Sequence, residues 1–104
     1  IITYIIPSSI RKNSETAGKY YLFQNYPEPF NPTTKIKYQT PGISFVTLKV
    51  YDVLGNEISM LVNEEKTAGT YEVEFNAEAL PSGVYFYKIQ AGSFTQTKKM
   101  ILLR

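Results

Sequence analysis

The chain has 104 residues, with 11 Lys+Arg against 9 Asp+Glu, a net charge of +2, and it contains neither Cys nor His. Those absences exclude disulfides, thiolate nucleophiles, imidazole–metal sites and any Ser-His-Asp triad. The small net charge leaves no electrostatic footprint for nucleic acid, and the length suits one domain that buries a core without covalent staples.

The first stretch, Ile1-Ile2-Thr3-Tyr4-Ile5-Ile6, is mostly apolar and β-branched and is stopped by Pro7. It is too short for a membrane-spanning helix, which takes about 20 apolar residues. It also lacks the charged start and cleavage site of a signal peptide. Arg11 to Lys19 is polar and reads as a linker. Residues 1–19 are therefore expected to be a linker or the tail of a preceding domain, and residues 20–104 the domain itself. The chain does not begin with Met, as expected of a fragment or a processed product. An exposed apolar strand at residues 1–6 also offers a route to strand-swapped self-association.

From Tyr20 onward apolar residues alternate, with turn signals at short spacing. Tyr20–Gln24 is the first strand expected. Asn25 to Pro32 carries three prolines and excludes regular structure. Thr33–Thr40 alternates, with Ile36 and Tyr38 on one face and Lys35 and Lys37 on the other. Pro41-Gly42 turns the chain into Phe45–Val53, where Val46, Leu48 and Val50 share a face. Asp52-Val53-Leu54-Gly55 fits a type I turn closed by a left-handed Gly. Glu57–Val62 returns, and Asn63–Gly69 reads as a polar connection. Tyr71, Val73 and Phe75 alternate with Glu72 and Glu74, and Ala77–Pro81 allows at most one helical turn. Val84–Ala91 and Phe94–Leu103 complete the set, joined by Gly92-Ser93 in a two-residue primed turn. Seven short strands without a helix predict an all-β, immunoglobulin-like antiparallel sandwich.

Five segments in order carry a resemblance. They are Gln24-Asn25-Tyr26-Pro27-Glu28-Pro29-Phe30-Asn31-Pro32-Thr33-Thr34-Lys35-Ile36, Val50-Tyr51-Asp52-Val53-Leu54-Gly55, Ala68-Gly69-Thr70-Tyr71, Leu80-Pro81-Ser82-Gly83-Val84-Tyr85-Phe86-Tyr87, and Lys98-Lys99-Met100-Ile101-Leu102-Leu103-Arg104. With this order and spacing, the stretch from Tyr20 to the end resembles the C-terminal sorting domain of the type IX secretion system, type A. Glu28 departs from the Asn usual there. The resemblance implies a non-enzymatic signal, without cofactors, on a secreted protein of a Bacteroidetes-type bacterium. A separate N-terminal signal would take the precursor into the periplasm. The outer-membrane translocon would then recognise the folded domain, and a sortase-like peptidase would commonly remove it. The partners implied are that translocon, the peptidase and an upstream cargo domain, which reaches the cell surface or the medium.

The tail Lys98, Lys99, Met100, Ile101, Leu102, Leu103 and Arg104 is the candidate translocon contact, read by strand addition if the last strand lies at a sheet edge. Lys99 and Arg104 would add charge complementarity. The loop residues Asn25, Pro27, Pro29, Phe30, Asn31 and Pro32 form either an epitope or a rigid crossover with Phe30 plugging the core. Gly55, Gly69, Gly83 and Gly92 serve turns. Tyr85 and Tyr87 are expected in the core. In a rival reading, a carbohydrate-binding or adhesive module, they would join a platform of exposed, coplanar aromatics.

Overall fold

The structure, a computed structural model, describes residues 18–104. The segments expected to act as linker and as swapping strand fall in residues 1–17, outside that range, apart from Gly18 and Lys19. Seven strands follow in order: β1 (Tyr21–Leu22), β2 (Thr33–Thr40), β3 (Ser44–Tyr51), β4 (Glu57–Lys66), β5 (Gly69–Asn76), β6 (Gly83–Ala91) and β7 (Phe94–Leu102). They form two antiparallel sheets, β1-β2-β5 and β4-β3-β6-β7. The expected β-sandwich is present, and its strand order is immunoglobulin-like with β4 hydrogen-bonded to β3.

The period-two patterns set which residues enter the core. Ile36 and Tyr38 of β2, Val46, Leu48 and Val50 of β3, Tyr85, Tyr87 and Ile89 of β6, and Met100 and Leu102 of β7 are all buried between the sheets. A one-residue slip in any strand would turn these side chains outward, so the alternation also fixes register. On the outer face of the smaller sheet, Lys35 lies opposite Glu74 and Lys37 opposite Glu72. Such opposite-charge pairs favour this register.

Two elements differ from the sequence reading. β1 is two residues long, because the ladder becomes irregular after Leu22: Phe23 N–H donates to the Lys37 carbonyl (3.0 Å), and Tyr26 and Lys35 exchange two further backbone bonds at 3.0 and 2.9 Å. β4 runs on to Lys66 through the polar stretch Asn63-Glu64-Glu65-Lys66, which pairs with Ser44–Thr47. An edge strand faces solvent along much of its length, so polar side chains there do not mark a loop. Residues 77–80, where at most one helical turn is expected, form a turn closed by Leu80 N–H to the Ala77 carbonyl (3.0 Å), and no helix occurs among the described residues.

Candidate functional site

The pairing registers sort the connections onto two ends of the sandwich. β3 ends, β6 starts, β7 ends, β2 starts and β5 ends at one of them. The loop before β2, the β3–β4 turn, the segment leading into β6 and the chain's last residues therefore share this end. Four of the five motif segments converge on it, while Ala68–Tyr71 lies at the opposite end, where Thr40 pairs with Gly69. The chain also enters at that opposite end. Tyr20 stacks on Phe94 at 5.2 Å between ring centroids, and its hydroxyl meets Ser44 Oγ at 2.8 Å. Gly92 adjoins this contact with φ +58°, and a Cβ there would lie 3.1 Å from the Tyr20 hydroxyl. The positive φ favours glycine at this position, and the close Tyr20 hydroxyl adds to that preference.

At the motif end the proline-rich loop and the tail form one hydrogen-bonded unit. β7 is an edge strand, as the tail reading requires. Its outward backbone groups near the C-terminus, however, are already used. Phe30 N–H donates to the Ile101 carbonyl (2.9 Å), and Leu103 N–H donates to the Phe30 carbonyl (3.0 Å). Ile101 N–H donates to both oxygens of the Glu28 carboxylate, at 3.1 and 3.0 Å. Gln24 Nε2 donates to the Lys99 carbonyl at 2.8 Å. Strand addition along Lys99–Leu103 would have to displace this loop. Among the described residues, the outward backbone groups of Thr95 and Thr97 lack such bonds.

The loop is anchored from below by buried groups. Phe30 is fully buried and its ring lies 6.1 Å from that of Phe75. Tyr87, also fully buried, donates its hydroxyl to the Phe23 carbonyl (2.7 Å) and accepts from Asn25 N–H (2.8 Å). Burial pushes the Tyr87 phenol far above its ordinary value, so it stays a donor at any physiological pH. Asn25 Nδ2 reaches the Pro27 carbonyl, Glu28 Oε1 and Thr34 Oγ1 at 3.2, 2.9 and 3.0 Å. The peptide bonds before Pro27, Pro29 and Pro32 are all cis. Glu28 thus acts as an acceptor that joins the loop to the sheet edge.

The tail residues divide by face. Met100 and Leu102 are buried, Lys98 and Ile101 are half-buried, and Lys99, Leu103 and Arg104 are exposed. Arg104 Nη1 donates to the carbonyls of Ala77 (3.0 Å), Glu78 and Leu80 (3.0 Å), and Arg104 N–H donates to Ser82 Oγ (2.9 Å). Its guanidinium fastens the 77–80 turn. Lys99 makes no ion pair among the described residues. In the loop, Pro27, Pro29 and Asn31 are exposed, Pro32 is half-buried and Asn25 is buried. Gly69 and Gly83 open β5 and β6 with φ +153° and +154°.

The β3–β4 turn is held as its sequence suggests. Gly55 N–H donates to the Asp52 carbonyl (3.0 Å), and Gly55 takes φ +88°. Asp52 Oδ1 accepts from Leu54 N–H and Asn56 N–H, each at 2.9 Å. Hydrogen bonds from Asn56 lead the donors that hold the Asp52 carboxyl below its ordinary value. The sequence reading ends a strand at Val53 and places Val53 and Leu54 in a turn and a motif segment, with no contact role for either. The signal it passes over is two adjacent large apolar residues at a turn tip, where polar ones are favoured.

A family profile described as "Secretion system C-terminal sorting domain" matches residues 24–103. The chain belongs to that family. It is a sorting signal of type IX secretion, a role that involves the secretion machinery and a cargo protein exported to the cell surface or the medium. No curated protein matches the chain. Among the described residues, the two tyrosines on which the carbohydrate reading rests do not reach the surface. Tyr85 and Tyr87 are buried, and the Tyr21 and Phe23 rings meet edge-on at 70°.

Proposed function

We propose that the outer-membrane translocon reads this sorting domain in its folded state, through the joined loop and tail, and that a sortase-like peptidase then cuts within residues 1–19. The observation that supports the reading most is the union of Gln24–Phe30 with Lys99–Leu103 by backbone and side-chain hydrogen bonds. A signal built this way exists only when the sandwich is formed, so recognition selects folded domains. Lys99 and Leu103 present side chains to the partner, and Arg104 holds the neighbouring turn in place. The cargo is joined through the opposite end, which leaves the motif end accessible.

The test is a fluorescent reporter fused ahead of residues 18–104 in a type IX-competent host. Surface or medium delivery is expected, and periplasmic retention would contradict the reading. Deleting Met100–Arg104 is a poor probe, because Met100 and Leu102 are fully buried and their loss unfolds the domain. Point substitution is cleaner. Lys99→Glu with Leu103→Ser should retain the reporter in the periplasm while the isolated domain keeps its Tm. Normal export of that double variant would remove the tail from the recognition surface.

A further inference from the structure

We propose that residues 1–6 add a strand to the open half of the β7 edge, within the same molecule. The inference stands apart from the sorting reading and concerns a second interaction surface, at the end where the chain enters.

The β7 edge is divided. From the Lys99 carbonyl to Leu103 N–H, its outward backbone groups are taken by Gln24, Glu28 and Phe30. Nearer the entry end, the outward N–H and C=O groups of Thr95 and Thr97 carry no such bond among the described residues. This half, Phe94-Thr95-Gln96-Thr97, has no charged residue and no proline, and its ladder with β6 runs without a bulge. Charges, prolines and bulges are the devices that keep sheet edges from pairing. The other long edges have them. β4 carries Glu64, Glu65 and Lys66, and its ladder with β3 shifts register twice. β5 exposes Glu72 and Glu74. The open half of β7 is thus an edge suited to receive a strand.

The chain itself supplies one. Tyr20 stacks on Phe94, so the chain enters at the start of the open half. Ahead of it lies Ile1-Ile2-Thr3-Tyr4-Ile5-Ile6, uncharged and made only of residues favoured in strands. Its length matches Phe94–Lys99. Residues 7–19 join Ile6 to Tyr20, and extended they reach ~43 Å. The whole of β7 spans only ~31 Å. An antiparallel strand, with Ile6 beside Phe94, brings the chain back to Tyr20 by the shorter path. Either set of alternate residues, Ile1, Thr3 and Ile5 or Ile2, Tyr4 and Ile6, then sets aliphatic side chains beside half-buried Tyr20 and Phe94. The tether also favours the molecule's own segment over that of a second copy, since short flexible linkers give effective concentrations on the order of millimolar.

The experiment follows amide exchange by NMR in the full 104-residue chain. The comparison is with Thr3→Pro/Tyr4→Pro, which removes a donor from either pairing phase. The Thr95 and Thr97 amides should exchange at least about tenfold more slowly in the parent, the scale of a few edge hydrogen bonds. The Ile89 amide should be equally protected in both chains. The parent should sediment as a monomer and keep its protection on dilution. Ile2→Asp/Ile5→Asp is the second variant and should act like the first. Equal exchange at Thr95 and Thr97 in the parent and both variants overturns the proposal. Protection that disappears on dilution, together with a dimer, would assign the edge to self-association and also overturn it. Loss of Ile89 protection in both variants would make residues 1–6 part of the core and overturn it as well.

Discussion

The two ends of the sandwich are built from the same kinds of residue but do different work. The entry end closes itself. Tyr20 stacks on Phe94, Thr40 Oγ1 donates to the Thr67 carbonyl at 2.8 Å, and the Tyr71 hydroxyl donates to the same carbonyl at 2.7 Å. Its aromatic hydroxyls bond within the chain, Tyr71 to backbone and Tyr20 to Ser44 Oγ. The motif end spends its polar groups in the same way, through Tyr87, Asn25, Glu28 and Arg104, yet leaves Tyr26, Val53, Leu54 and Leu103 in solvent. A rigid polar frame that presents apolar side chains is what a folded signal requires. The entry end also leaves Ile43 and Phe45 exposed, so the ends differ in what their polar groups join: loop to tail at one, the incoming chain and strand ends at the other.

Substitutions can break this contrast at several levels. The largest effect is expected from Phe30→Ala, which empties a fully buried site beneath the loop. A cost of about 3–5 kcal/mol is typical of such truncations. At roughly 4–8 °C per kcal/mol for a domain of this size, the melting temperature should fall by more than ~12 °C. Scanning calorimetry checks it, and a shift of a few degrees would mean that the loop is not seated on the core.

Tyr87→Phe comes next. It removes one hydroxyl from two backbone partners, the Phe23 carbonyl and Asn25 N–H. Leaving buried groups unpaired costs about 1–3 kcal/mol, measurable by urea unfolding with an unchanged m-value. Glu28→Ala should cost about 1 kcal/mol, since a half-exposed carboxylate is partly screened by water. Its sharper signature is local: the Ile101 amide, bonded to Glu28, should exchange with solvent faster, while the Ile89 amide at the sheet centre keeps its protection.

The smallest effect concerns pH. The Asp52 carboxyl is held below its ordinary value, so its contribution is present above the unfolded value near ~4 and is lost as pH falls through the lower folded value. Asp52→Asn should therefore be less stable than the parent at neutral pH and approach it in acid. A difference that grows in acid would contradict the role given to the turn.

Much of this is legible in the sequence, for identifiable reasons. Alternation reports burial, so the spacing of Ile36 and Tyr38, Val46 to Val50, and Tyr85 and Tyr87 is enough to assign them to the core. Turn chemistry reports locally, so Asp52 to Gly55 and Gly92-Ser93 can be placed. The end of β4 cannot, because Asn63–Lys66 owe their strand to hydrogen bonds from β3 and not to buried side chains. Nor can the union of loop and tail. Glu28 and Ile101 are far apart in sequence, and their bond involves a backbone N–H, which carries no mark in the residue type. Arg104 reads as a free positive charge for the same reason, since its three acceptors are main-chain carbonyls.

The most direct test of the central claim, that the motif end is the surface read by the translocon, is site-specific photo-crosslinking during export. A photoreactive amino acid is placed at Leu54 or Leu103 on the motif end, or at Ile43 on the entry end, in the reporter fusion. The account predicts adducts with an outer-membrane translocon protein from positions 54 and 103 and none from position 43. Adducts from position 43 alone, or equally from all three, would contradict it.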